Sequence, residues 1–320
     1  MSKPETGIST SWLGDSPRGA EEIIRHIEAL GEVDGVEINY RITGETFNKL
    51  IRALKSLGLK IFSLHNFTPI PSDIPFHRAS GDLYNLASRD PFEREAAVKN
   101  TARTIELAHE LEGPAVVLHC GRVDMEAEWD RIRKWMKEGK LESEEVASFV
   151  KQKLNERNGL ADSHLDGLLL SLDELANLAD RYSVTLGIEN RYSFHEMPQE
   201  KELLIIFEKL RGAPLAYWHD TGHFHVNRVL KILNEEIWLN QIFPNTAGCH
   251  VHDVIGVDDH LPIGEGESDF QDIRAITKSR PDIPLILELK AGLEDGRVKE
   301  SLERLKEMIN RWKEQENQGE

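Results

Sequence analysis

Cysteine, long apolar runs and basic charge are all scarce in this 320-residue chain, and each shortage removes a class of protein. Two cysteines cannot build a disulfide framework or the thiolate cage of a structural zinc site. No stretch approaches the roughly 18 consecutive apolar residues of a membrane-spanning helix. The opening residues lack the apolar core of a secretory signal, so the expectation is a soluble, cytoplasmic protein with no membrane partner. Against 56 Asp and Glu stand only 39 Lys and Arg, a formal net charge of −17, which opposes attraction to nucleic-acid phosphates. A local basic groove, or an anionic substrate held through bound cations, stays compatible with that charge.

Eight short apolar segments recur, at residues 7–12, 35–39, 60–67, 115–121, 185–191, 215–221, 247–253 and 284–290, each followed by a helical pattern. Strands alternating with helices along a whole chain imply βα units, and eight of them imply an α/β protein with one (β/α)8 TIM barrel spanning residues 1–320. Ser16-Pro17 has the form of a helix start ahead of Ile23, Ile24, Ile27 and Leu30, and Asp90-Pro91-Phe92-Glu93 reads as a capping box. Val298, Leu302, Leu305, Ile309 and Trp312 share one face of a last helix. Two connections exceed barrel norms. Residues 68–89 follow the third strand and are a lid candidate. Residues 123–166 form a helical insertion, with helices expected at 128–137 and 144–154, suited to packing or to a homo-oligomer contact.

Strands buried on both faces should be almost wholly apolar, so polar residues at their C-terminal ends need a reason. Here they recur: Glu37, His65, His119, Glu189, His219 with Asp220 and His223, His250 with His252, and Glu288. Barrel closure carries all these strand ends to one rim. Buried carboxylates gathered there repel one another and protonate unless a cation compensates them. Residues 249–270 add Asp258 and His260 around a Gly-rich turn. The donors are imidazole and carboxylate, a set that suits zinc, manganese, iron or cobalt, and the expectation is a catalytic divalent-metal centre. His219 and His252 are set aside as neighbours of ligands, and Trp12 and Trp218 are assigned to the core.

In order along the strands, Gly35-Val-Glu-Ile-Asn39, Ser63-Leu-His65, Val117-Leu-His-Cys-Gly121, Leu186-Gly-Ile-Glu-Asn-Arg191, His219-Asp-Thr-Gly-His223, His250-Val-His-Asp253, Asp258-Asp-His-Leu-Pro-Ile-Gly-Glu-Gly266 and Leu287-Glu-Leu289 resemble the xylose isomerase-like TIM-barrel superfamily. That superfamily holds sugar and sugar-phosphate isomerases and epimerases, and also endonuclease IV. Resemblance to its ketose epimerases implies one metal on Glu189, Asp220, His250 and Glu288, with Glu189 and Glu288 as the acid–base pair and His223 at the substrate. The arginine those epimerases carry six residues after the strand-seven histidine is Gly256 here. Resemblance to endonuclease IV implies a three-zinc site that adds His65, His119, His223, Asp258 and His260, so the two resemblances together imply one to three ions, zinc or manganese, per chain. The function expected first is metal-dependent isomerisation or epimerisation of a sugar, sugar phosphate or related polyol, with Glu37, Asn190, Arg191, His223 and Lys290 as substrate contacts. The alternative is a multi-zinc phosphodiesterase acting on abasic DNA or another phosphoester.

Overall fold

Each of the eight expected segments becomes a strand because it alternates with helices that cover its outer face while its inner face packs across the barrel. The computed structural model describes residues 4–318. The strands are β1 (Thr6–Ser9), β2 (Gly35–Ile38), β3 (Lys60–His65), β4 (Ala115–Leu118), β5 (Leu186–Glu189), β6 (Leu215–Asp220), β7 (Thr246–Val251), a short β8 (Asp253–Ile255) and β9 (Asp258–Leu261), and β10 (Leu285–Leu287). All but β8 and β9 pair in parallel into a closed barrel of order β1-β10-β7-β6-β5-β4-β3-β2. No helix among the described residues is long and apolar enough to cross a membrane.

Inside the barrel, Trp218 forms the floor of the functional end. Its indole is fully buried and packs with Val117 and Ile286. It fits because Gly248 lies opposite it: a Cβ there would sit 2.4 Å from the ring. The same indole meets the His250 ring edge-on at a centroid distance of 5.5 Å, so an apolar plug seals the histidine from below. Trp12 is also fully buried, as expected for core.

The first helix starts at Ala20 with Gly19 as its N-cap, later than Ser16-Pro17 suggested. Arg18 turns back to bond the Leu13 carbonyl and Asp15, which holds residues 14–18 as a turn. The helix Pro91–Glu110 begins as expected, with Asp90 accepting from the Phe92 amide at 2.9 Å; Glu93, however, bonds Ser88 and does not close a capping box.

After β4, helices Trp129–Lys137 and Glu144–Asn158 precede the long helix Ala161–Tyr182. Ile132, Trp135, Val146, Phe149 and Val150 of the two insertion helices build a separate small core with Phe194, Val226, Val254 and Val257. The insertion thereby buttresses the loop after β5 and the β8–β9 hairpin. Gly256, in the left-handed region at φ 57°, sits at the hairpin tip, where a Cβ would come 3.0 Å from the Met136 sulfur. That contact explains locally why no long side chain stands at this position.

Candidate metal centre and active site

Parallel register fixes the heart of the site. Asp220 ends β6 directly beside His250 of β7, Ile286 of β10 pairs with His250 from the other side, Glu189 ends β5, and Glu288 follows β10. Ligand atoms of Glu189, Asp220, His250 and Glu288 consequently lie within 4.8 Å of one another, all in buried residues. His250 Nδ1 is 2.9 Å from Glu288 Oε2, 3.7 Å from Glu189 Oε1 and 3.9 Å from Asp220 Oδ2.

The donor pattern around His250 asks for a positive charge. Its Nε2–H donates to Glu37 Oε2 at 2.9 Å, which turns Nδ1 toward the three carboxylates. Nδ1 makes no hydrogen bond despite its proximity to Glu288, and Glu189 Oε2 is likewise buried without a donor. Burial alone would keep the imidazole neutral, yet the charges of Glu288 and Glu37 outweigh it and hold its pKa well above the ordinary value. A divalent ion satisfies the same demand with an imidazole and carboxylate donor set, so the residues present fit one.

Several residues hold this group in place. Glu37 is fully buried and accepts from both Ser63 Oγ, at 2.7 Å, and His250. It therefore orients His250 and does not face substrate, a correction to the sequence expectation. Asn190 is also corrected: its side chain bonds both backbone groups of Asp220 and the Tyr217 hydroxyl, and its carbonyl accepts from His223 Nδ1 at 2.8 Å. His252, set aside on sequence, proves part of the frame. Its Nδ1 accepts from the His260 amide at 2.9 Å, so its Nε2–H is the donor to Asp220, 3.0 Å from Oδ2. Asp220 Oδ1 also caps the helix Thr221–Val229 through the His223 amide. Removing the acceptor under His250 by Glu37→Ala is expected to weaken divalent-metal affinity about 10- to 100-fold, read by metal titration, whereas unchanged affinity would remove Glu37 from this role.

Three further groups adjoin the centre among the described residues: His65, His119 and Glu189; His223, Asp259 and His260; and Asp220, His252 and His260, which shares members with its neighbours. The second corrects the sequence reading, because Asp258 points out to the rim and pairs with Lys290, while Asp259 turns inward, 3.6 Å from His223 Nε2 and 3.3 Å from His260 Nδ1. Lys290 is therefore a rim ion-pair residue. Asp253 folds this loop by accepting the amides of Val254, Gly264, Gly266 and Ser268. Burial raises the pKa of Glu189, but the neighbouring His119, with His223 and His250, outweighs that and holds the carboxyl well below its usual range. Asp82, from the long segment after β3, was not anticipated; it accepts from His119 Nδ1 at 2.9 Å, and Gly81 beside it lies against the His119 and His65 rings. Arg191 joins the group with a bond to His119.

The family model described as xylose isomerase-like TIM barrel matches residues 24–308. No curated protein matches the sequence. Among solved structures, a D-tagatose 3-epimerase-like protein superposes with a TM-score of 0.67 at 24% identity, over 97% of this chain and 99% of that one. An L-ribulose 3-epimerase superposes at 0.70 with 15% identity, over 98% and 97%, and the 3-keto-D-glucoside 4-epimerase of E. coli at 0.66 with 14% identity, over 95% and 99%. At these identities the likeness establishes the shared fold.

Proposed function

The chain belongs to the xylose isomerase-like TIM-barrel family, and from that premise we propose that it is a divalent-metal-dependent isomerase or epimerase acting on a sugar, sugar phosphate or related polyol. The observation that carries this reading is the buried group of Glu189, Asp220, His250 and Glu288, in which His250 Nδ1 and Glu288 Oε2 lie 2.9 Å apart without a hydrogen bond. A bound divalent ion, zinc or manganese by its donor set, supplies Lewis-acid polarisation of a substrate carbonyl. Glu288, the least buried of the four at 5% exposure, takes the proton from the carbon next to that carbonyl. Glu189, also held ionised, is the partner carboxylate of the pair, and the proton that Glu288 has taken is the one returned to the substrate. Asn190 and His252 hold Asp220, and Glu37 holds His250, in register, and Trp218 keeps water from entering beneath them.

The test is proton exchange. Metal-loaded protein incubated in D2O with a panel of ketoses and sugar phosphates is expected to place deuterium at the carbon adjacent to a carbonyl in at least one of them. A panel with no incorporation sinks the reading. A second reading, phosphoester hydrolysis by a metal cluster, draws on the groups at His65/His119/Glu189 and His223/Asp259/His260. Metal-dependent incision of a duplex carrying an abasic site would place it first; with a net charge of −17, no incision is expected.

A further inference from the structure

The group of His65, His119 and Glu189, at the ends of β3, β4 and β5, does not receive a metal on the same terms as the four-residue group. His119 Nδ1–H donates to Asp82 Oδ1 at 2.9 Å, which leaves a single in-plane lone pair, on Nε2, to meet a metal. That nitrogen is already flanked: Arg191 Nη1 lies 2.9 Å from it and Glu189 Oε2 3.0 Å, and the same Nη1 lies 3.5 Å from Glu189 Oε1, so one guanidinium nitrogen stands between two of the three ligand positions. With His119 engaged, only His65 and Glu189 are left, two protein ligands where a catalytic zinc site uses about three.

The arginine is held where it is. Its Nε and Nη2 both donate to Glu196 Oε1, at 3.0 and 2.7 Å, and Glu196 Oε2 is fixed in turn by the Ser193 amide at 2.8 Å. Asp82 Oδ2 stands 3.7 Å from Nη2, and Asn227 Nδ2 donates to the Arg191 carbonyl at 2.8 Å. The Arg191 side chain is 12% exposed and that of Glu196 9%, so displacing the guanidinium would break a largely desolvated ion pair. Arginine is also the one basic side chain that keeps its charge under any physiological condition.

We propose that Arg191 is the resident cation of the His65/His119/Glu189 group and excludes a metal ion from it. Glu189 then keeps its negative charge through contact with the guanidinium, and a second ion does not assemble beside the first across that carboxylate. Two ions side by side can clamp the attacking and leaving oxygens of an in-line phosphoester displacement, and Arg191 withholds that pairing at Glu189, which makes it a determinant of reaction class. The inference deepens the proposed function and rests on it for the total number of ions. The difference between wild type and variant does not depend on it.

Bound metal is measured by elemental analysis after equilibration with zinc and removal of excess, for wild type, Arg191→Met and the double variant Arg191→Met/His119→Ala. Arg191→Met is expected to bind one ion per chain more than wild type, and the double variant to return to the wild-type value. Equal content in wild type and Arg191→Met overturns the proposal. Should Arg191→Met fail to fold, His119→Ala alone decides: unchanged content supports the proposal, and loss of one ion overturns it. A wild type that binds no ion while Arg191→Met gains one would sink the four-residue centre and keep the role of Arg191.

Discussion

Glu288→Gln is expected to slow solvent exchange at the substrate carbon by about 10²- to 10⁴-fold, the contribution typical of a positioned general base. The substitution preserves shape and one coordinating oxygen while removing the proton acceptor. Glu288 Oε2 is the carboxylate oxygen nearest His250 Nδ1, at 2.9 Å, and Oε1 is met by Asn39 Nδ2 at 3.4 Å, so the amide can be seated without a large shift. Metal content measured on the same sample separates loss of the base from loss of the ion. A decrease smaller than about tenfold with the ion still bound would move the base elsewhere in the site. Glu189→Gln is expected to be at least as damaging, because Glu189 also meets His119, His223 and Arg191 and its neutralisation leaves the Arg191 charge uncompensated.

The second large effect is on stability. Glu37, Glu189, Asp220, Glu288 and the largely buried Asp259 crowd one end of the barrel above an apolar floor, and an ion bound only to the folded chain opposes their repulsion. Ligand linkage at about 1,000 times the dissociation constant amounts to roughly 4 kcal/mol. Stripping the ion with a chelator is therefore expected to lower Tm by several degrees, about 1.5 °C for each kcal/mol lost in a chain of this size. The drop should be restored by zinc or manganese and much reduced in His250→Ala, which has already lost a ligand. A Tm indifferent to chelation in the wild type would mean that the carboxylates are compensated by Arg191 and by protons.

What was legible in the sequence follows from topology. A parallel barrel sends every strand C-terminus to one rim, so polar residues at those ends identify themselves: Glu189, Asp220, His250 and Glu288 converge as β5, β6, β7 and β10 dictate. What was not legible depends on side-chain direction or on loops. Glu37 is a polar residue on a strand like the others, and only the His250 ring lying against it shows that it faces a protein donor. Asp258 and Asp259 are adjacent in the β9 strand, where successive residues point to opposite faces, and sequence offers no means of choosing which one turns inward. Asp82 reaches His119 from the aperiodic segment after β3, which carries no spacing signal. His252 had the right parity to face the site, and its role became visible only through the tautomer that the His260 amide imposes.

The most direct measurement is anomalous X-ray scattering from crystals equilibrated with zinc or manganese. The expected map has a strong peak within bonding distance of Glu189, Asp220, His250 and Glu288, with no peak between His65 and His119, where Arg191 stands. A map without density at the four-residue group, in crystals shown by fluorescence to contain the metal, would contradict the metal centre on which the proposed chemistry depends.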